Sequence, residues 1–195
     1  MNYPLTLTFK FWALGQQIRV QDSAGNLICQ VKQKAFKLKE DVLVFADEQQ
    51  TNQVCRIQAD RIIDWSAKYT ITLPDGRAVG AIRRQGMKSL WRSSYELLDA
   101  TGNVVGTIRE ENPWIKVIDS LVGEIPIVGL IAQRFINPAF LIEMPAGTVL
   151  LRAQKQASFI DRRFQIAQKG PITSDQEWLI LPSVMMMILL ERSRG

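Results

Sequence analysis

Histidine does not occur in this chain of 195 residues. Its absence excludes Ser-His-Asp and Cys-His catalysis and removes the commonest protein ligand of zinc, copper and non-haem iron. Cysteine is nearly as scarce. Cys29 and Cys55 form no Cys-x-x-Cys pair, and each stands among apolar neighbours, Leu27-Ile28 before the first and Val54 and Ile57 around the second. A small buried thiol fits those surroundings better than redox chemistry does. Neither common glycine-rich phosphate loop is present, so no nucleotide cofactor is expected. The first eight residues, Met-Asn-Tyr-Pro-Leu-Thr-Leu-Thr, hold no basic segment and no continuous apolar stretch. No secretory signal is expected there, and a cytoplasmic protein with reduced thiols is.

What is present is apolar bulk carrying modest charge. Hydrophobic residues make up 47% of the chain and charged ones 22%, enough apolar surface to offset chain entropy in one core. The net charge of +5 permits contact with anionic lipid or nucleic acid and is equally an ordinary solubility device. Alternation at period two opens the chain, with Leu5, Leu7, Phe9 and Phe11 separated by Thr6, Thr8 and Lys10. It returns at Ala67, Tyr69, Ile71 and Leu73 and at Phe36 and Leu38, and Val42-Leu43-Val44-Phe45 forms a continuous apolar run. These patterns predict strands, half-buried where they alternate and more deeply buried where they run on.

A weak internal repeat joins three of these strands. Asp22-Ser-Ala-Gly25, Asp75-Gly76 and Asp99-Ala-Thr-Gly102 are each followed by an apolar residue three places after the glycine (Ile28, Val79, Val105) and by another six places after it (Val31, Ile82, Ile108). A cation comes next, Lys32, Arg83 or Arg109. Asp can cap its own turn and Gly accepts positive φ, so each copy reads as a hairpin connection. The two apolar positions differ by an odd number, which an ideal strand would place on opposite faces; Gly80 and Gly106 are the expected sites of a β-bulge that restores the register. Ala146-Gly147-Thr148-Val149-Leu150 is a degenerate fourth copy. Repeated bulged hairpins imply a curving antiparallel sheet, and closure into a barrel would remove its exposed edges.

Between residues 112 and 138 the texture changes, as Asn112-Pro113, Gly123, Pro126, Gly129 and Asn137-Pro138 punctuate an apolar stretch. Short helical turns are possible at 119–123 and 128–132, and strand character resumes at 139–143 and 164–167. Residues 178–190, thirteen without a charge, fall short of the roughly twenty that a spanning helix needs. Ser174-Asp175-Gln176-Glu177 matches a capping box. A helix from there meets Pro182 in its interior, at a cost of about 3 kcal/mol or a kink; alternatively 178–181 is a last strand and Pro182 begins the helix. Either way residues 184–190 are apolar around the whole circumference and must be surrounded on every side.

The Asp-x-x-Gly hairpins, the Asn137-Pro138 step before an aromatic strand and the all-round apolar helix at the C-terminal end of the sequence together resemble the tubby-like superfamily, in particular its LURP-one-related and phospholipid-scramblase-like branch. The likeness covers nearly the whole chain. It implies a mainly β fold in one domain, 1–195: a closed antiparallel barrel of about twelve strands around a central hydrophobic helix at about 175–192. It also implies a binding or scaffold role at anionic membrane and no enzymatic activity. The chain departs from scramblase-like relatives in having no EF-hand-like spacing of acids, since Asp41, Asp47, Asp60 and Asp64 are dispersed, and no cysteine cluster or proline-rich leader. Scramblase activity is therefore not carried over.

Two basic clusters are the candidate lipid site: Lys32, Lys34, Lys37 and Lys39, and Arg83, Arg84, Lys88 and Arg92 around Gly86. Each exposed cation near an anionic membrane contributes about 1 kcal/mol, so both clusters together would support reversible adsorption to phospholipid or phosphoinositide head groups. The alternative is that they are solvated outer faces of strands. Trp91 beside Lys88 and Arg92 could stack on a base, so a nucleic-acid-binding or regulatory protein using the same surface is the second reading. A third is an enzyme with a cavity beside the helix. The carboxylate pairs Glu110-Glu111 and Asp60-Asp64 do not lie in segments that resemble a pocket, and Met185, Met186 and Met187 read as flexible filler of a core helix. The expectation is a monomer without metal or cofactor, peripheral at the membrane, whose lumen is filled by the helix and whose contacts lie on the outside.

Overall fold

The alternating segments close on one another through β-ladder hydrogen bonds. The computed structural model describes residues 1–12, 15–34, 41–60, 67–85, 94–112, 138–156 and 162–192. Twelve strands run through them: β1 (Leu5–Trp12), β2 (Gly15–Gln21), β3 (Leu27–Lys34), β4 (Asp41–Phe45), β5 (Gln53–Ala59) and β6 (Lys68–Thr72), then β7 (Ala78–Arg84), β8 (Ser94–Asp99), β9 (Val104–Glu110), β10 (Ala139–Glu143), β11 (Val149–Gln156) and β12 (Arg162–Gln168). Each pairs antiparallel with its neighbours in sequence, and β1 pairs with both β2 and β12, so the sheet is a closed barrel with no free edge. The expected strand at Phe36 and Leu38, the helical turns at 119–123 and 128–132, and Asn137 lie outside the described residues.

Inward-facing positions follow period two: Leu5, Leu7 and Phe9 on β1, Ile18 and Val20 on β2, Cys29 and Val31 on β3, Val42 and Val44 on β4 are all buried. Four tight hairpins share one geometry. Gly25, Gly76, Gly102 and Gly147 have φ between +82° and +91°, and each glycine N–H donates to the carbonyl three residues before it, at Asp22, Leu73, Asp99 and Met144. In three of them an aspartate reinforces the loop: Asp99 Oδ1 accepts from the amides of Thr101 and Asn103, Asp22 Oδ1 from those of Ala24 and Asn26, and Asp75 Oδ1 from that of Arg77. The degenerate copy at Gly147 is thus a full member of the set.

The bulges occur where they are expected, beside Gly80 and Gly106. The residue skipped in the ladder is Val79 opposite Ile71 and Thr72, and Val105 opposite Leu97 and Leu98, one place before Gly80 and Gly106. Ile28, Val54 and Leu150 are skipped in the same way in strand pairs without such a glycine. An extra residue needs only a local kink, which any residue can supply. Gly80 answers a different demand: a Cβ there would lie 2.2 Å from the Leu98 carbonyl oxygen and 2.8 Å from Leu179 Cδ1.

The lumen holds α1 (Ser174–Arg192). Pro182 is inside this helix and does not begin it, and the Ser183 hydroxyl donates to the Leu179 carbonyl at 2.8 Å beside it. Burial on all sides offsets the proline: Val184, Met185, Met186 and Met187 are 0% exposed. The capping box is shifted one residue from the expected position. Gln176 N donates to Thr173 Oγ1 and Thr173 N donates to Gln176 Oε1 at 2.9 Å, a reciprocal pair of the expected kind. Glu177 is consequently free of the cap, and its carboxylate is buried against the Met1 amine at 3.2 Å and the Tyr3 phenol, whose pKa it helps to raise after burial itself. No described helix is long and apolar enough to cross a membrane.

Candidate functional site

Because the strands simply alternate in direction, the two barrel ends differ in what they carry. One end collects the hairpins at 22–26, 46–52, 73–77, 99–103 and 144–148 together with the start of α1. At the other end β3 finishes at Lys34, β7 finishes at Arg84, and α1 reaches Glu191.

The candidate cations distribute unevenly over this frame. On β3, Lys32 and Lys34 occupy register positions opposite in parity to the buried Cys29 and Val31, pairing with Gln17 and Gly15. Lys37, Lys39, Lys88, Arg92 and Trp91 lie outside the described residues. Arg83 is exposed on the outer wall and bound to Glu96 across the strand at 2.9 and 2.5 Å. Arg84 departs from the expected exposed cluster: it follows Gly80 and Ile82 on the inner parity, and its side chain is only 9% exposed, 3.8 Å from Glu191 and over the Tyr95 ring at 5.9 Å. Tyr95 donates to Glu191 at 2.6 Å, and burial foremost, then the Glu191 charge, drives its pKa far above the ordinary phenol value. β3 and β7 are separated by β4, β5 and β6, so their final residues Lys34 and Arg84 share a barrel end and not a side.

Elsewhere on the wall four arginines are matched by acids. Arg56 forks onto Asp41 at 2.7 Å, Arg152 reaches Glu111 at 2.7 Å, and Arg109 and Arg19 are bonded to Glu143 and Glu48. Among the described residues no cluster of three potential metal ligands occurs. The two cysteines are free and buried, Cys29 Sγ meeting Met185 Sδ at 3.9 Å. Burial raises both thiols, Cys55 to about 12, which suppresses the reactive thiolate.

The hairpin end holds what the sequence did not disclose. The helix does not fill the lumen there. A cavity of about 690 Å³ opens between the first turns of α1 and the rim of β5 to β11. Four of the five bulged residues, Val54, Val79, Val105 and Leu150, line it, with Trp178 and Leu179 from the helix opposite. Its polar lining residues are Arg77, Glu143, Asp175 and Gln176. Glu143 is held by Arg109 and Gln176 by the helix cap. Most of the lining is apolar with a few convergent polar groups, so the cavity has the makings of a binding pocket. The signal in the sequence was the apolar residue three places after Gly76, Gly102 and Gly147; Ile28, three places after Gly25, is not in the lining, and Val54 follows no turn glycine.

No family model matches the chain, and no curated protein matches it. A crystal structure of a protein from Arabidopsis thaliana shares the fold, with a TM-score of 0.53 over 97% of this chain and 92% of that one, at 10% sequence identity. At that identity the likeness speaks for the fold alone.

Proposed function

We propose that the chain is a non-enzymatic binding domain that contacts anionic phospholipid head groups, phosphoinositides among them, with the barrel end at which β3 and β7 finish. The observation that carries this reading is topological: both strands start at the hairpin rim and run the same way, so the basic segments that begin at Lys32 and Arg83 lead to one end of the barrel. A membrane facing that end meets the ends of both segments, where each cation free to face it is worth about 1 kcal/mol; Lys32 and Lys34 lead on β3, while on β7 Arg83 is paired with Glu96 and Arg84 with Glu191. Lipid is favoured over nucleic acid because the described wall arginines are already bound to carboxylates, which leaves no unpaired arginine track along the wall for a phosphate backbone. Membership of the LURP-one-related, scramblase-like branch belongs to the same proposal. The order of motifs and the closed barrel around a central helix support it, and peripheral attachment in the cytoplasm is part of the same proposal.

The test is sedimentation with liposomes of neutral lipid, with and without phosphatidylserine or phosphoinositide, for the wild type and for a variant with Lys32, Lys34, Lys37 and Lys39 changed to Glu. The wild type should sediment with anionic vesicles only, and the variant should stay in solution. Equal sedimentation of both proteins overturns the reading, as does a low-salt gel shift with DNA in the absence of vesicle binding.

A further inference from the structure

The apolar cavity at the hairpin end goes beyond that reading. It lies at the barrel end opposite Lys34 and Arg84, so a membrane contacted there would not cover it.

Protein interiors are close-packed, and voids larger than a few waters are rare in them. This barrel obeys the rule along most of its helix, where residues 184–187 are 0% exposed. The departure is local. About 690 Å³ is within the roughly 300–1,000 Å³ of small-molecule sites, and the walls are aliphatic side chains with one indole. The bulges build it: each skipped residue bends its strand at the rim, and Val54, Val79, Val105 and Leu150 come from four different hairpins to one space.

Charge narrows the ligand. Among the described residues Arg77 is the one cation of the lining. It is exposed on the β6–β7 hairpin, and its guanidinium pairs with no described carboxylate, unlike Arg19, Arg56, Arg83, Arg109 and Arg152. Of the two lining acids, Glu143 is committed to Arg109, while Asp175 stands in the first turn of α1. A carboxylate nearby disfavours a head of charge −2. We infer that the cavity is a binding site for a small amphiphile with a single negative charge, such as a medium-chain fatty acid, its apolar body against Trp178 and the bulged rim and its head at Arg77.

Calorimetric titration of the full chain with decanoate below its micelle concentration, beside decanol, decylamine and decyl phosphate, tests this. Decanoate should bind at one site, and more tightly than the other three. Val79→Trp, which places an indole in the cavity, should abolish binding while the circular dichroism and melting profile stay native; Val105→Phe serves the same purpose should Val79→Trp not fold. Arg77→Glu should weaken decanoate about fivefold, as befits an exposed ion pair, and leave decanol unchanged. The inference fails if the wild type does not bind decanoate, if the folded cavity-filled variants still bind it, or if decanol matches decanoate and Arg77→Glu changes neither. No vesicle is present and the lysine cluster is intact, so failure here is separable from failure of the membrane reading.

Discussion

Gly80 is the position where the packing of this barrel can be tested with one methyl group. A Cβ built there lies 2.2 Å from the Leu98 carbonyl oxygen and 2.8 Å from Leu179 Cδ1, both well short of an ordinary contact of about 3.5 Å and the first by more than 1 Å. Leu179 can turn aside; the carbonyl cannot, because it belongs to β8, the strand that pairs with β7. Gly80→Ala must therefore push the wall outward or shift the helix. Overpacking a core costs about 1–3 kcal/mol, and a backbone obstacle at a glycine whose φ of +159° already disfavours a side chain puts this case at about 2 or more. For a chain of this length each kcal/mol moves the melting temperature about 2–4 °C, so a loss of about 2 kcal/mol should lower it by about 4–8 °C in differential scanning calorimetry. Gly76→Ala is the control. It has nothing within 4 Å of the added atom and φ of +84°, so only left-handed strain of about 1 kcal/mol applies. Adding Leu179→Ala to Gly80→Ala should not restore stability, because the carbonyl clash remains and a cavity is added. Melting of Gly80→Ala within about 1 °C of wild type would show that β7 and α1 are not held as closely as described.

Met186→Asp places a carboxylate at a position that is 0% exposed on a helix apolar all round; the variant should be unfolded or insoluble, since a buried unpaired charge costs more than the fold can spare, and a soluble variant with native circular dichroism would refute the lumenal placement. Cys29 and Cys55 should resist thiol reagents at pH 8 in native buffer and react fully in denaturant, as their burial and raised pKa require; prompt labelling of the native protein would contradict the closed core. Asp22, Asp47 and Asp99 have pKa values below the ordinary carboxylate range, caused foremost by hydrogen bonds from the Asn26 side chain, the Thr51 amide and the Thr101 hydroxyl respectively. Their folded values are depressed, so their stabilisation is complete above about pH 4 and is lost as the pH falls through the folded values. Denaturant midpoints measured from about pH 5 down to pH 2 should fall less steeply for a triple Asp→Asn variant than for wild type, and parallel slopes would refute the assignment.

The local chemistry of single residues was legible in the sequence. Turn glycines with positive φ, aspartates that cap their own loops, and alternation on β1, β6 and β12 act over a few residues, so they announced hairpins without any tertiary information. Residues 184–190 likewise demanded enclosure, because no amphipathic face could leave one side in water. What needed the tertiary structure was every choice between locally equivalent options. Thr173 and Ser174 are both competent caps; Thr173 prevails in a structure where Glu177 is held by Met1 and Tyr3, 176 and 174 residues away in sequence. Pro182 could begin or interrupt the helix, and burial on all sides tolerates the interruption. β5 and β8 carried no clean pattern of their own and are defined by the strands beside them. Arg84 reads as one more surface cation until the ladder places it with Ile82 and Glu191 comes to meet it. The cavity is the furthest from the sequence: its lining spans residues 54 to 180, and only closure of the barrel brings four bulged residues and a tryptophan to one space.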